Sequence, residues 1–353
     1  MKSKTIILAA LAGTLLTNIA SAQVEVVITG STAFRSIAVD RVKALFDAGF
    51  VSTVRDSNIQ TYSGTMTTAI PSLGSQTVTV RMSYSGSGSG MLAVKNGTQV
   101  STVNSGDTVT LVSKTPDLAF SDVFPSSANP PIATSAFQSD TKVGVVPFVY
   151  VKNNGMTGVN NITRDQAVLL MTAGGLMPAT FLGGSSAAPI YLVGRDSGSG
   201  TRISVEKDIA YKGTPFLWDK DISGNWISSP GLSSGSGVAA ILGNVAYTDA
   251  IGYLGLSDFA TINTKATALT FDGVAYSTAN VISGSYALWG YEHLVTRIGL
   301  SVNQTSVRTA LANAITSTTY QHTDPNYVGK FEAIADMHVQ RGTDGGTITS
   351  LDF

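Results

Sequence analysis

The feature that most constrains the fold of this chain is a short turn of small polar residues that repeatedly separates an apolar run from a helical pattern. In one copy, the apolar run 189–193 leads through a glycine-serine turn into the helical pattern of residues 203–211. In another, the β-branched run 24–29 leads through a second such turn into the helical pattern of residues 35–48. Because strands and helices alternate in this way, the sequence predicts an α/β fold with mixed, mostly parallel sheets flanked by helices.

The turn V-G-R-D-S-G-S-G-T-R, residues 193–202, has the composition of an anion site. Ser199, Gly200 and Thr201 fall at the start of the predicted helix, where backbone N–H groups lack internal partners and carry the positive end of the helix dipole. Arg195 adds a permanent charge and a planar fork of donors. The alternative is a surface turn that only precedes a helix, since the chain contains 36 glycines and two further G-S-G runs.

Three other turns share these features. Residues 30–34 follow a strand, and the sequence predicts Ser31 or Thr32 as the N-cap of the next helix; the alternative is that these hydroxyls cap the helix and do nothing else. A Gly/Ser loop around Ser87 follows the alternating strand pattern of residues 77–84, with a helix predicted from Met91.

Ser121 and Asp122 form the remaining turn, at the end of the apolar run 117–120. An acid beside a serine is also a common turn former, so the alternative is a purely structural role. Since ligands of α/β sheets collect at the carboxyl ends of the strands, we expect the four turns to lie close together.

Residues 1–22 have the pattern of a secretory signal. Lys2 and Lys4 precede the apolar stretch 6–16, and Ala20-Ser21-Ala22 forms a small-x-small cleavage site. We therefore expect cleavage after Ala22 and a protein that is periplasmic or secreted. No later apolar run is long enough to span a bilayer, so no membrane span is expected.

Composition argues against several classes of function. Charged residues make up 13% of the chain and the formal net charge is −1, so we expect no nucleic-acid partner. The chain has no cysteine. The glycine-rich turns match neither a P-loop nor a dinucleotide fingerprint, and residues 219–224 start like a calcium loop whose twelfth position is Pro230 instead of a glutamate. We therefore expect no cofactor and no metal.

Other segments give predictions about architecture. Residues 95–113 indicate an inserted hairpin, and residues 218–226 a second hairpin. The apolar run 143–151 predicts a buried parallel strand with a bend or an edge at its proline. A helical pattern is present around residues 286–298. The length of the mature chain predicts two domains.

The ordered set of four turns resembles the substrate-binding protein of the phosphate ABC uptake system. The stretches 163–174, 250–253 and 286–289 are also similar to that family, so the resemblance extends over most of the mature chain. It implies a two-lobed "Venus flytrap". The first lobe is expected to contain residues 23–122 and 258–353, including the inserted hairpin, and the second lobe residues 123–257.

The resemblance also implies which residues hold phosphate. Ser87 matches a serine that bonds the anion, Asp122 matches the acid that accepts its proton, and Arg195 matches the arginine of the site. The full set of expected phosphate-binding residues is Ser31, Thr32, Ala33, Phe34, Ser87, Ser121, Asp122, Arg195, Ser199, Gly200 and Thr201. Hydrogen phosphate keeps a proton near neutral pH whereas sulfate has none, so an acceptor-only carboxylate favours phosphate over sulfate.

Two positions depart from the family pattern. Ala33 stands where the family usually has Ser or Thr, which removes one hydroxyl unless Thr32 replaces it. The acid that the family often places two residues after the arginine is replaced by Ser197, and Asp196 is its neighbour. These departures leave the affinity for phosphate open.

The sequence therefore predicts a monomeric binding protein that captures inorganic phosphate and delivers it to an ABC permease. The alternatives are a binding protein for another small oxyanion and an exported structural or adhesive protein that keeps the fold without transport. An enzyme, either a serine hydrolase or a phosphatase, is not favoured. The chain has no G-x-S-x-G motif, and its histidines, His293, His322 and His338, lack the spacing of metal ligands.

Overall fold

The computed structural model of the protein describes residues 23–174 and 177–351. The predicted signal peptide, residues 1–22, lies outside this part of the chain. The described strands are β1 Val24–Gly30, β2 Val51–Val54, β3 Ile59–Gly64, β4 Val78–Tyr84, β5 Val100–Val103, β6 Leu111–Lys114, β7 Leu118–Ser121, β8 Ser139–Asn153, β9 Asn161–Ile162, β10 Tyr191–Val193, β11 Leu217–Lys220, β12 Trp226–Ser229, β13 Ala250–Gly255, β14 Ala266–Ala268, β15 Thr270–Phe271, β16 Trp289–Thr296, β17 Val339–Gln340 and β18 Thr349–Ser350. The described α-helices are α1 Arg35–Leu45, α2 Ser87–Asn96, α3 Arg164–Ala173, α4 Gly200–Asp208, α5 Gly235–Leu242, α6 Leu256–Phe259, α7 Thr278–Ile282, α8 Val302–Ile315 and α9 Thr318–Thr323.

One large mixed sheet runs through the molecule in the order β10-β13-β8-β16-β7-β1-β4-β3-β2, with β14 also paired to β8. The α/β fold and the mixed sheet predicted from the sequence are confirmed. Parallel pairs join β1 to β4 and β7, and β10 to β13, while the other pairs of this sheet are antiparallel. The parallel share is smaller than the alternation of strands and helices predicts, because β8 and β16 run against their neighbours.

The strand β8 divides the sheet into two halves. Residues Ser139–Pro147 pair with β16, and the following residues from Phe148 pair with β13. Pro147 lies at this change of partner, where a residue without an N–H is tolerated. We call the strands from β16 to β2 the first lobe, together with the helices α1 and α2 that follow β1 and β4. The second lobe contains β10, β13 and β14 and the helix α4 that follows β10, and β8 is shared by both lobes. The residue boundaries predicted for the lobes stay a prediction.

The prediction of a parallel strand at residues 143–151 was wrong in direction, because β8 is antiparallel to β13, β14 and β16. A continuous apolar run reports burial on both faces of a sheet, and burial does not define the direction of the neighbours. The hairpins predicted at residues 95–113 and 218–226 are confirmed as β5–β6 and β11–β12.

The helix predicted around residues 286–298 was also wrong. The segment Trp289–Thr296 is the strand β16, and all eight of its residues are buried. Its aromatic and β-branched residues favour a strand, and β7 and β8 pair with both of its edges. This strand therefore lies in the interior of the sheet.

Two helix starts differ from the sequence predictions. The N-cap of α1 is Phe34 and not Ser31 or Thr32, because the chain first makes a bend after Gly30 and turns helical only at Arg35. The hydroxyl of Ser31 instead accepts a hydrogen bond from the backbone N–H of Phe34 at 3.2 Å. The helix α2 begins at Ser87 and not at Met91, so its first turn is made of the Gly/Ser loop itself.

In the described part of the chain, no helix is long and apolar enough to cross a membrane.

Candidate anion site

Close packing of glycine backbones brings the predicted turns together. The N–H of Ser31 donates to the carbonyl of Phe120 at 2.8 Å, and the N–H of Gly86 donates to the carbonyl of Gly30 at 2.9 Å. A Cβ on Gly30 would lie 2.0 Å from the oxygen of Phe120, and a Cβ on Gly90 would lie 2.4 Å from the Cα of Gly30. A side chain at Gly30 would therefore separate β1 from β7, and a side chain at Gly90 would separate α2 from β1.

The carboxylate of Asp122 lies where these turns meet. Its side chain is 1% exposed. The hydroxyl of Ser87 donates to Oδ1, and the hydroxyl of Thr201 donates to Oδ2 at 3.2 Å. A Cβ on Gly200 would lie 1.6 Å from Oδ1, so the first residue of α4 leaves room for the acid. The acid thus has donors from both lobes and faces the start of a helix.

Opposing effects act on the protonation of Asp122. Burial raises the pKa of this carboxyl, and it is the largest effect. The hydrogen bond from Ser87, the positive charge of Arg195 and the bond from Thr201 lower the pKa, but less strongly than burial raises it. Asp122 is therefore a better proton acceptor than an exposed aspartate.

Arg195 provides the positive charge of the site and is 1% exposed. Its Nη1 donates to the hydroxyl of Thr32 at 3.0 Å, which joins the two lobes. Its Nε donates to the carbonyl of Leu232 at 3.0 Å, and its Nη2 donates to the carbonyl of Ser233 at 3.0 Å. The guanidinium is therefore held by two backbone carbonyls and the hydroxyl of Thr32.

The neighbouring Asp196 takes a different role, because its Oδ1 accepts the backbone N–H of Gly198 at 3.1 Å. Burial lowers the pKa of Arg195, and the charges of Asp196, Asp122 and Asp258 oppose this effect. An arginine starts from so high a pKa that it stays charged.

The start of α4 agrees with the sequence prediction. Ser199 is the N-cap, and its hydroxyl accepts the N–H of Arg202 at 3.3 Å. The N–H groups of the first helical residues, Gly200 and Thr201, lack an acceptor within the helix and lie beside Asp122. The N–H of Gly88 donates to the carbonyl of Gly198 at 3.0 Å, so the start of α2 packs on the same turn.

Other predicted residues take positions beside this cluster. The hydroxyl of Ser121 donates to the carbonyl of Val123 at 2.8 Å, so it is directed away from the Asp122 carboxylate. The carbonyl of Ala33 accepts the hydroxyl of Ser257 at 2.9 Å. The ring of Phe34 packs against the ring of Phe120 at 5.5 Å. The Ala33 carbonyl and the Phe34 ring are therefore engaged in contacts outside this cluster.

Several residues near the site carried no sequence prediction. The hydroxyl of Tyr253 accepts the backbone N–H of Arg195 at 3.3 Å, and the hydroxyl of Ser204 donates to the carbonyl of Asp122 at 3.2 Å. Asp258 is 8% exposed. Burial raises the pKa of its carboxyl, and the positive charges of Arg35 and Arg195 oppose this effect. Glu292 is fully buried close to Asp122. The signal in the sequence that could have identified Glu292 is a single acid within an apolar stretch.

The arrangement can bind an anion that carries a proton. The side chains that surround the site are each at most 5% exposed: Thr32, Ser87, Asp122, Arg195, Ser199 and Thr201. They combine one permanent cation, hydroxyl groups, a helix N-terminus and one acid. Among the described residues, no group of three His, Asp or Glu side chains is placed to hold a metal ion. His293 bonds Asp140 and His322 bonds Asp336, each at 2.7 Å.

Comparison with known proteins relates this chain to others through its fold. No family model matches the sequence. No curated protein matches it either. Among solved structures, the chain is similar to a protein of Clostridium perfringens assigned as a phosphate ABC transporter substrate-binding protein, with bound phosphate. The identity is 17% and the TM-score 0.58, over 87% of this chain and 99% of that chain.

Two further structures share the fold. An ABC-type phosphate transport receptor from Vibrio cholerae is 17% identical with a TM-score of 0.50, over 82% of this chain and 93% of that chain. A human phosphate binding apolipoprotein is 14% identical with a TM-score of 0.52, over 87% of this chain and 90% of that chain. The two-lobed α/β fold predicted from the resemblance is thereby confirmed.

Proposed function

We propose that this chain is an exported substrate-binding protein that captures inorganic phosphate between its lobes and delivers it to an ABC permease. The observation that carries the proposal is the buried carboxylate of Asp122, which faces the N-terminus of α4 and shares its surroundings with Arg195. A buried acid beside an anion-binding helix start repels an anion that lacks a proton and accepts a hydrogen bond from one that has a proton.

The remaining donors suit a small tetrahedral anion. Arg195 offsets the charge, and the hydroxyl of Thr32, which accepts a bond from Nη1 of Arg195, keeps its own proton to donate. The hydroxyls of Ser87 and Thr201 donate to the Asp122 carboxylate and so fix the proton acceptor of the site. The N–H groups at the starts of α1 and α4 add neutral donors. In this proposal Thr32 supplies the hydroxyl that Ala33 lacks. The proposal includes a periplasmic or secreted location, a monomer, and no catalytic activity.

The fold supports the proposal because the three similar structures are of a phosphate transporter's substrate-binding protein, a phosphate transport receptor and a phosphate binding apolipoprotein. Their low identity to this chain means that the ligand has to be argued from the site itself. The acid and the arginine of that site are both nearly fully buried, which is costly unless a bound ion or fixed partners compensate the charges.

The test is isothermal titration of the mature protein, unfolded and refolded to remove carried-over anions, with phosphate and then with sulfate. We expect phosphate to bind and sulfate to be excluded. In Asp122→Asn the preference for phosphate over sulfate should shrink at least about tenfold, because the amide no longer repels an unprotonated anion. Asp208→Asn is the matched control, since Asp208 is equally buried but pairs with Arg341 at the other end of α4.

A second candidate ligand is another small oxyanion that carries a proton. It is favoured by Ala33, which provides no hydroxyl to the first turn. Binding of such an anion with no heat from phosphate would replace the ligand and keep the site. No heat from any small oxyanion would contradict a binding function and favour an exported structural protein.

A further inference from the structure

Glu292 lies in the middle of β16 beside the proposed anion site and is 0% exposed. β16 runs antiparallel to β7, with Leu294 opposite Phe120 and His293 opposite Ser121. β7 ends at Ser121, and continuing this register by one residue sets Glu292 opposite Asp122, whose charge is close enough to raise the pKa of Glu292. Residues opposite one another on antiparallel strands project to the same face of the sheet. The two acids are therefore neighbours on one face.

The groups around Glu292 are apolar or already hydrogen-bonded to other partners. Its partner on β8 is Gly144, where a Cβ would lie 2.9 Å from the hydroxyl of Tyr327 and 3.7 Å from the ring of Phe34. The Tyr327 hydroxyl donates to the carbonyl of Glu332 at 3.0 Å and accepts a bond from Gln321 at 2.9 Å. Gly144, opposite Glu292, therefore faces Tyr327 and Phe34, and Tyr84 and Tyr327 lie close enough to Glu292 for its charge to raise their pKa.

Both carboxyl oxygens of Glu292 are buried without a hydrogen-bond partner in the described part of the chain. The titratable groups that face it are Asp122, which follows β7, Tyr84 from β4 and Tyr327 from the loop after α9. None of these offers a positive charge. Burial raises the pKa of Glu292 well above its usual value, and the negative charge of Asp122 raises it further.

We infer that Glu292 is a specificity-determining residue of the anion site, which carries the proton of a two-carboxyl pair so that the single negative charge of the pair stays on Asp122. Two carboxyls that share a low-dielectric site do not both ionise near neutral pH. Asp122 has hydroxyl donors that stabilise its charge, and Glu292 has none among the described residues. The charge therefore stays on the acid that faces the anion.

This division of charge sets the pH range of binding. While Glu292 is neutral, the pair adds one negative charge, and hydrogen phosphate offsets its repulsion by donating its proton to Asp122 in a hydrogen bond. When Glu292 ionises, a second buried negative charge lies behind the anion and phosphate affinity falls. The substitution Glu292→Gln keeps the size of the side chain and removes this ionisation.

The first test rests on the proposed function and follows phosphate affinity upward from about pH 7.5, above the usual pKa of a carboxyl. We expect wild-type affinity to fall at least about fivefold once Glu292 ionises, and the affinity of Glu292→Gln to change by less than about twofold over the same range. Glu332→Gln, another buried glutamate away from Asp122, should follow the wild type. An equal decline in Glu292→Gln and wild type would overturn the inference.

The second test needs no phosphate. Because the folded-state pKa of Glu292 is raised, the folded protein holds a proton that the unfolded chain releases above about pH 4.3. Stability therefore falls as pH rises from there to the folded-state pKa. The folding equilibrium constant of wild type relative to Glu292→Gln should drop up to about tenfold per pH unit in that window. Parallel stability curves would overturn the inference.

A third measurement uses the wild-type protein, in case the variant does not fold. The chain contains four glutamates, so selective ¹³C labelling of the glutamate carboxyl gives a small set of signals. We expect one carboxyl to stay protonated at neutral pH; four ionised carboxylates at neutral pH would overturn the inference. If these phosphate-free measurements succeed and no phosphate binds, the proposed function fails and the carboxyl pair stands.

Discussion

The starts of α4 and α5 look alike in sequence and in local structure. Each follows a serine N-cap, Ser199 or Ser234, whose hydroxyl accepts a backbone N–H three residues later. Each begins with a glycine pressed against a buried aspartate. A Cβ on Gly200 would lie 1.6 Å from Asp122, and a Cβ on Gly235 would lie 1.9 Å from Asp258.

The two starts differ in what surrounds the acid. Asp122 receives hydroxyl bonds from Ser87 in the first lobe and Thr201 at the start of α4. The pKa of Asp258 is raised by burial, and the charges of Arg35 and Arg195 oppose that effect. Asp122 is thus hydrogen-bonded where the two lobes meet, whereas Asp258 offsets part of the positive charge of Arg35 and Arg195. A helix start is a credible anion site only when separate elements converge on it.

The largest expected effect comes from Arg195, whose positive charge acts on the acids at both helix starts. Arg195→Ala should weaken phosphate binding by about 3 kcal/mol, or roughly 100-fold, because a buried charged contact is lost. Titration calorimetry measures this change. Arg341→Ala is the control, since Arg341 is a buried arginine paired with Asp208. It should lower stability and leave the affinity of the folded protein within about threefold. Unchanged phosphate affinity in Arg195→Ala would show that the site is misassigned.

The next effect compares the two glycines directly. In Gly200→Ala the new methyl group overlaps the Asp122 carboxylate, so phosphate affinity should fall at least about tenfold. In Gly235→Ala the methyl group displaces Asp258, which should cost about 1–2 kcal/mol of folding stability with phosphate affinity within about threefold. Thermal unfolding and calorimetry on both variants provide the comparison. Equal losses of affinity would mean that the two helix starts serve the ligand alike.

The smallest effect concerns Asp258 itself. Asp258→Asn removes a negative charge near Arg195, which should raise phosphate affinity by less than about threefold, and less at higher salt. Sulfate should stay excluded, in contrast to Asp122→Asn. Titration with both anions at two salt concentrations measures this. Sulfate binding by Asp258→Asn would contradict the assignment of sulfate exclusion to Asp122.

The parts of the fold that depend on near neighbours could be predicted from the sequence. The helix start at residues 199–201 and the two hairpins follow from residues only a few positions apart. The grouping of Asp122 with Arg195 came from the rule that ligand sites lie at the carboxyl ends of strands and from the resemblance, because no local pattern relates residues so far apart in the chain.

The rest depends on partners that the sequence does not display. β16 contains apolar residues at both helical and strand spacings, and only its place between β7 and β8 decides between them. The direction of β8 is likewise a property of its neighbours. Arg195 is held by the carbonyls of Leu232 and Ser233, and a backbone carbonyl leaves no mark on the sequence. Glu292 lies in the strand whose structure was predicted wrongly.

The shared strand β8 also limits how this molecule can be redesigned. Its fifteen residues belong to the hydrogen-bond ladders of both lobes, so a cut within it leaves two fragments that each lack a sheet partner. Because β8 is hydrogen-bonded to strands of both lobes, a rotation of one lobe relative to the other would twist this strand. A split reporter or a circular permutant should therefore keep residues 139–153 intact and place its new ends in exposed turns such as the tip of the β11–β12 hairpin.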